Sequence, residues 1–98
     1  MIEYADEALE HVRALLRHYD ALERDNAIRS LVRALAEAEA RIESTSSAGL
    51  AAPRPYLHLA RPDRVWIKAA RYWIVYSTTS PPVIAGVFYD AADIPSRV

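Results

Sequence analysis

The feature that most constrains this chain is a change in hydrophobic period near its middle. Up to about residue 43, apolar residues recur every three or four positions, which is the period of an amphipathic α-helix. From about residue 56 the period is two, and β-branched and aromatic residues dominate, which is typical of strands. Because 98 residues is the length of one domain, we predict a single domain, residues 1–98, with one shared core.

The first half predicts a short strand and two helices. Ile2-Glu3-Tyr4 alternates apolar and polar residues, which favours a strand. The first helix should begin at about Asp6, where acidic residues suit the helix dipole. The second should run from about residue 26 to about residue 43, with Asp25 as its N-cap. Since only a few residues join them, we expect the two helices to form an antiparallel hairpin.

The second half predicts strands joined by short links. Ala69-Ala70 is one turn, and Ser80-Pro81-Pro82 forces another because proline cannot sit in a central strand. We expect an antiparallel meander with the most apolar strand at its centre. The strand candidates are Tyr56–Leu59, Arg64–Lys68, Arg71–Tyr76 and, as the central strand, Val83–Tyr89. The predicted fold class is therefore α+β: a short N-terminal strand and a two-helix hairpin packed on a three- to four-stranded antiparallel sheet.

Composition excludes several functional classes. The absence of cysteine excludes disulfides, thiol chemistry and a cysteine-ligated zinc site, and it fits a reducing cytoplasm. The acidic N-terminus and the lack of a long apolar run argue against a signal peptide and a membrane span. With two glycines there is no Gly-rich phosphate loop, and we expect no cofactor. His11 and His18 share a helix face, but without further ligands they predict no metal site.

Charge is distributed unevenly along the chain. The first 53 residues carry six Arg and ten acidic residues, whereas the remainder carries six basic residues and three Asp. On the strand that begins at residue 64, alternate residues are basic or aromatic, while Val65 and Ile67 should face the helices. This basic patch predicts a surface for an acidic partner, and the alternative is a solvated face. The patch comprises Arg64, Trp66, Lys68 and, across the turn, Arg71.

The order of these elements resembles the ParE/RelE superfamily of bacterial toxins from toxin–antitoxin operons. Arg71–Tyr76 is similar to the family's R-Y-x-I-x-Y strand, and Val83–Tyr89 is similar to its last core strand. Asp93–Val98 is similar to the D-I-P ending of ParE-like members. Tyr4–Glu10 resembles the passage from the family's first strand to its first helix. The resemblance covers nearly the whole chain.

The resemblance implies a toxin and a protein partner. RelE-like members are ribosome-dependent mRNA endonucleases, whereas ParE-like members lack that chemistry and poison DNA gyrase. Members of both branches are held inactive by an antitoxin encoded beside them. We therefore expect a hetero-oligomer with a cognate antitoxin, and either gyrase or the ribosome as the target.

The candidate catalytic residues are few. RNA cleavage by the 2′-hydroxyl needs a base, a cation and an acid. Arg71 matches an arginine of the nuclease members, Tyr89 is the candidate proton donor, and His58 is a candidate base. Where ParE-like members show H-x-R-R-D, Tyr89 replaces the histidine, and Ala91 and Ala92 replace the arginines. We therefore expect a ParE-like toxin that binds rather than cleaves; the alternatives are a RelE-like endonuclease, and an inactive homologue that retains only antitoxin binding.

Overall fold

A computed structural model gives the fold and describes residues 2–44, 63–78 and 81–89. The elements follow the predicted order, with two helices packed on one face of a four-stranded sheet, so the α+β class is confirmed. The predicted strand Tyr56–Leu59 and the D-I-P ending lie outside the described residues. The elements are β1 (Glu3–Tyr4), α1 (Asp6–Ala21), α2 (Asp25–Ser44), β2 (Arg64–Ala69), β3 (Tyr72–Ser77) and β4 (Val83–Tyr89).

The sheet has the strand order β1-β4-β3-β2. β2, β3 and β4 form the expected antiparallel meander, and β4 is an inner strand. β1, however, pairs with β4 in parallel, with Glu3 opposite Val83 and Tyr4 opposite Ile84. The sheet is therefore mixed: the strands of the second half pair antiparallel as expected, and β1, for which the sequence indicated no partner or direction, adds one parallel pair. No tight turn sets the direction of β1, because α1, α2, β2 and β3 all lie between β1 and β4 in the sequence.

Two hydrogen bonds hold β1 in place although it has only two residues. The amide of Ala5 donates to the carbonyl oxygen of Ile84 at 2.8 Å, which continues the contact with β4 to the start of α1. The hydroxyl of Tyr4 donates to Oε2 of Glu39 at 2.9 Å, which links β1 to α2. The first strand is thus fastened to both layers of the fold.

The main core lies between the helix hairpin and the sheet. Ile67 is buried and Val65 half-buried on this face of β2, as predicted from the alternation. Full burial of such a side chain stabilises the fold by about 1.5–3 kcal/mol. Because the buried side chains come from both the hairpin and the sheet, each layer is stable only when packed on the other. Among the described residues, the largest fully buried side chains are Tyr76, Leu31, Ile42, Ile74, Ile84 and Val87.

A second cluster occupies the opposite face of the sheet. It consists of Trp66, Trp73, Val75 and Phe88, each at most 6% exposed. Gly86 leaves the space that this cluster needs, because a Cβ there would lie 2.8 Å from Cε2 of Phe88. Both tryptophans are therefore core residues of the fold.

A β-bulge interrupts the pairing of β3 with β4. Val75 is opposite Gly86 and Tyr76 is opposite Ile84, so Ala85 is an extra residue on β4. Such an insertion bends the strand and shifts its side-chain alternation. As a result Ile84 and Val87, three residues apart, both face the helices.

The turn between the helices places Arg24. Glu23 has a φ of 54°, and the amide of Arg24 donates to the carbonyl oxygen of Tyr19 at 2.9 Å. The carbonyl oxygen of Arg24 accepts from Ala27 at 3.0 Å. Arg24, rather than the predicted Asp25, is therefore the N-cap of α2, since the cap carbonyl accepts the first bond of the helix.

The β2–β3 hairpin turns through two residues, Ala70 and Arg71, between the paired residues Ala69 and Tyr72. Ala70 has a φ of 53°, a left-handed conformation that favours glycine. This turn determines where the Arg71 side chain leaves the sheet.

We expect Ala70→Gly to raise the free energy of unfolding by about 0.5–1 kcal/mol. The substitution removes a left-handed penalty of about 1–3 kcal/mol, and glycine's greater freedom in the unfolded chain offsets part of the gain. The matched control is Ala69→Gly, which should lose about 1–2 kcal/mol because Ala69 is buried in a strand. Thermal denaturation followed by circular dichroism measures both. A lower melting temperature for Ala70→Gly would contradict the turn geometry.

Candidate functional site

A cleft of about 770 Å³ lies between the helices and the sheet. It is bordered by α1, by the start of α2, and by the start of β3 and the end of β4, which pair with each other. Its volume is in the range of small-molecule sites, about 300–1,000 Å³. Apolar side chains such as Leu15, Ala27 and Val87 form part of its wall. The titratable residues that line the cleft are His11, His18, Tyr19, Arg24, Arg71, Tyr72 and Tyr89.

Arg71 and Tyr89 meet in this cleft. Nη1 of Arg71 donates to the hydroxyl of Tyr89 at 3.4 Å, a long hydrogen bond. Tyr89 is opposite Tyr72 in the sheet, and their rings are in edge contact with centroids 5.8 Å apart. The structure thus brings together two of the three residues that the sequence named as nuclease candidates. The third, His58, lies outside the described residues.

Two phenols form the floor of the cleft. The hydroxyls of Tyr19 and Tyr72 are 2.6 Å apart and share one hydrogen bond. The two residues are only 7% and 3% exposed. Burial, followed by the hydrogen bond with Tyr19, raises the pKa of Tyr72 well above its ordinary value. Tyr72 therefore remains a neutral hydroxyl and does not act as a base at physiological pH.

His11 connects α1 to the open edge of β4. In the described residues β1 covers β4 only at Val83 and Ile84. Beyond them, the amide of Val87 donates to Nδ1 of His11 at 3.2 Å, and the His11 ring lies 4.7 Å from the Phe88 ring. Nδ1 is thus an acceptor, which is the state of a neutral imidazole with its proton on Nε2.

Sequence reasoning placed His11 and His18 on one helix face and assigned them no site. The signal that it missed is the position of His11 three residues after Ala8 and four before Leu15, at the border of the apolar stripe of α1. It also missed Arg24, which enters the cleft from the turn between the helices. The positive charge of Arg24 acts on Tyr72 and opposes the rise in its pKa.

The predicted basic patch does not share one environment. Arg71 lines the cleft, whereas Nζ of Lys68 lies 5.8 Å from the Trp73 ring on the outer face. Arg64 is partly exposed and is 3.8 Å from the carboxylate of Asp63. Trp66 is 3% exposed, and its Nε1 has no hydrogen-bond partner among the residues that the structure describes. Any contact of this patch with a partner would therefore be made by its charges rather than by Trp66.

No family model and no curated protein matches the chain. In the described residues no helix is long and apolar enough to cross a membrane. Over the same ranges, no three histidine or acidic side chains are grouped in a way that could hold a metal ion. The functional argument therefore rests on the fold and on the cleft.

We expect the free energy of unfolding to fall less steeply with rising pH above about pH 10 in Tyr72→Phe than in the unsubstituted protein. Since the native pKa of Tyr72 is raised, the unfolded chain releases this proton at about pH 10 while the native chain retains it. The stabilisation is complete below that pH and is lost above it, by up to about 1.4 kcal/mol per pH unit. Urea unfolding between pH 8 and 11 measures the slope.

Tyr19→Phe is the control for this prediction. It removes the same hydrogen bond but leaves Tyr72 buried, and burial is the larger cause of the raised pKa. This variant should keep most of the alkaline slope. Equal slopes for Tyr72→Phe and the unsubstituted protein would show that Tyr72 ionises freely in the folded state.

Proposed function

We propose that this chain is the toxin subunit of a type II toxin–antitoxin pair in the cytoplasm, which inhibits growth by binding an essential target. The observation that carries the proposal is the architecture: a helix hairpin on a sheet in which β3, with Arg71 just before it, pairs with β4, which ends at Tyr89. This is the order of elements that the resemblance to the ParE/RelE superfamily implies. On that resemblance, the target is DNA gyrase and the neutralising partner is a cognate antitoxin.

The chemistry of the cleft favours binding over catalysis. Arg71 supplies a cation, but the only candidate proton donor beside it is the phenol of Tyr89. His11 uses Nδ1 to accept the Val87 amide, so this nitrogen is not available as a base. Tyr72 stays protonated, as argued above. A missing acid or base typically costs about 10²–10⁴-fold in rate, which leaves a poor nuclease.

One observation favours a second candidate function. Arg71 and Tyr89, the cation and the proton donor that a RelE-like endonuclease would use, are in contact at 3.4 Å. The second proposal is therefore ribosome-dependent mRNA cleavage, for which the described imidazoles that line the cleft are those of His11 and His18.

Inducible expression without an antitoxin tests both proposals. We expect growth to stop and DNA synthesis to fail before protein synthesis, with Arg71→Ala relieving the effect and the exposed Arg33→Ala on α2 retaining it. Incorporation of labelled thymidine and leucine separates the two failures. Codon-positioned mRNA cuts that disappear in Arg71→Ala would favour the endonuclease instead. Normal growth at full expression would contradict both toxin proposals and favour a homologue that only binds an antitoxin.

The basic patch generates a prediction about the antitoxin. We expect Arg64→Glu combined with Lys68→Glu to weaken antitoxin binding, mainly through a slower association, and the loss should shrink as salt is added. The melting temperature should change little, since exposed charge pairs contribute about 0.2–1 kcal/mol each. Binding is measured by surface plasmon resonance at two ionic strengths.

The control for the patch keeps its charge. Arg64→Lys combined with Lys68→Arg exchanges the two side chains without changing their sum, and it should preserve affinity. If charge reversal leaves low-salt affinity unchanged, the patch is a solvated face with no part in the complex.

A further inference from the structure

The cleft contains positive charge from two turns and no described acidic residue in its lining. Arg24 brings one guanidinium from the turn between the helices, and Arg71 brings a second from the β2–β3 turn. We propose that this cleft binds the terminal phosphate of a phosphomonoester with an aromatic body, of which a nucleoside monophosphate is the simplest example. The inference concerns the same cleft as the proposed function, but it does not depend on toxicity, gyrase or an antitoxin.

Arg24 is the first element of the phosphate site. It forms no ion pair with any residue in the described parts of the chain, although the turn that holds it is well defined by backbone hydrogen bonds. Guanidinium groups bind phosphate through two parallel N–H donors, which makes arginine the preferred partner of this group. Arg71, on the β2–β3 turn, adds a second guanidinium to the lining of the same cleft.

The phenol pair on the floor supplies a donor that is suited to an anion. When two hydroxyls share one hydrogen bond, the accepting hydroxyl keeps its own hydrogen for another partner. Tyr19 and Tyr72 have no other hydrogen bond to a described residue, so this hydrogen has no protein acceptor there. An oxygen of a bound phosphate would accept it.

Charge distinguishes a terminal phosphate from one within a nucleic-acid strand. A phosphomonoester carries about −1.5 to −2 charges at pH 7, whereas a backbone phosphodiester carries one. Two guanidiniums match the monoester more closely. The apolar wall, which includes Leu15, and the partly exposed ring of His11 offer a surface on which an aromatic body can pack. The volume of the cleft accommodates a ligand of this size.

The test is a titration of the purified, ¹⁵N-labelled full chain, followed by NMR and calorimetry. The probes are adenosine 5′-monophosphate, adenosine, inorganic phosphate and the dinucleoside ApA, which has only an internal phosphodiester. We expect the monophosphate to bind at least tenfold more tightly than adenosine or ApA, and inorganic phosphate to compete with it. The shifted amides should lie in the second half of α1, the first turns of α2 and the ends of β3 and β4.

Three variants assign the binding to the cleft. Arg24→Gln should lower the affinity for adenosine 5′-monophosphate at least tenfold, and Tyr19→Phe should lower it severalfold. Arg33→Gln removes an exposed arginine of α2 that does not line the cleft, and it should bind as the unsubstituted protein does. Circular dichroism confirms that each variant is folded, and shift mapping on the unsubstituted protein does not depend on the variants.

Three results would overturn the inference. The first is a monophosphate affinity no greater than that of adenosine, and the second is an equal effect of Arg24→Gln and Arg33→Gln. The third is tighter binding of ApA than of the monophosphate, which would assign the cleft to the phosphodiesters of a nucleic acid. Since none of these measurements involves growth, replication or translation, they leave the proposed toxin function to be judged separately.

Discussion

The apolar faces of α1 and α2 must be removed from water. The strand that contributes most to covering them is β4. It pairs with β3 on one side and β1 on the other, and it presents Ile84 and Val87 to the helices. α1 lies against it closely enough for His11 to accept a hydrogen bond from the Val87 amide. The cleft follows from this packing, because the residues that line it come from elements that β4 holds together.

The sequence predicted the elements well and their long-range pairing less well. The change from a helical period to a period of two identified the helices and the meander, because both periods are local properties of the chain. The parallel pairing of β1 was missed because no turn connects it to β4. Strict alternation would also place Ile84 and Val87 on opposite faces of β4. The bulge at Ala85 brings them to the same face; Gly86 beside it is a residue type that often marks a bulge, but the sequence prediction treated the segment as a regular strand.

The candidate site was predictable only in part, for a related reason. Arg71 and Tyr89 were found because they lie in strand motifs, and their contact depends on an antiparallel register that the hairpins determine. Tyr19 and Arg24 belong to the helix half and reach the cleft only through tertiary packing. A reading of each half by itself cannot place them beside Tyr72. The result is a cleft in which the Tyr72 phenol stays protonated and the two guanidinium groups, Arg24 and Arg71, come from different halves of the chain.

The pairing of residues 3 and 4 with residues 83 and 84 has a consequence for synthesis. The strand made first has its only described sheet partner some eighty residues later, so it must wait for that partner while the chain elongates. The ribosome adds about 5–20 residues per second, so this wait lasts seconds, which is long compared with helix formation in about a microsecond. The helix hairpin can form early, but its apolar face has no β4 to cover it until that segment emerges. A chain that stops short of β4 therefore completes neither the sheet nor the cleft, and an incomplete product should be inert.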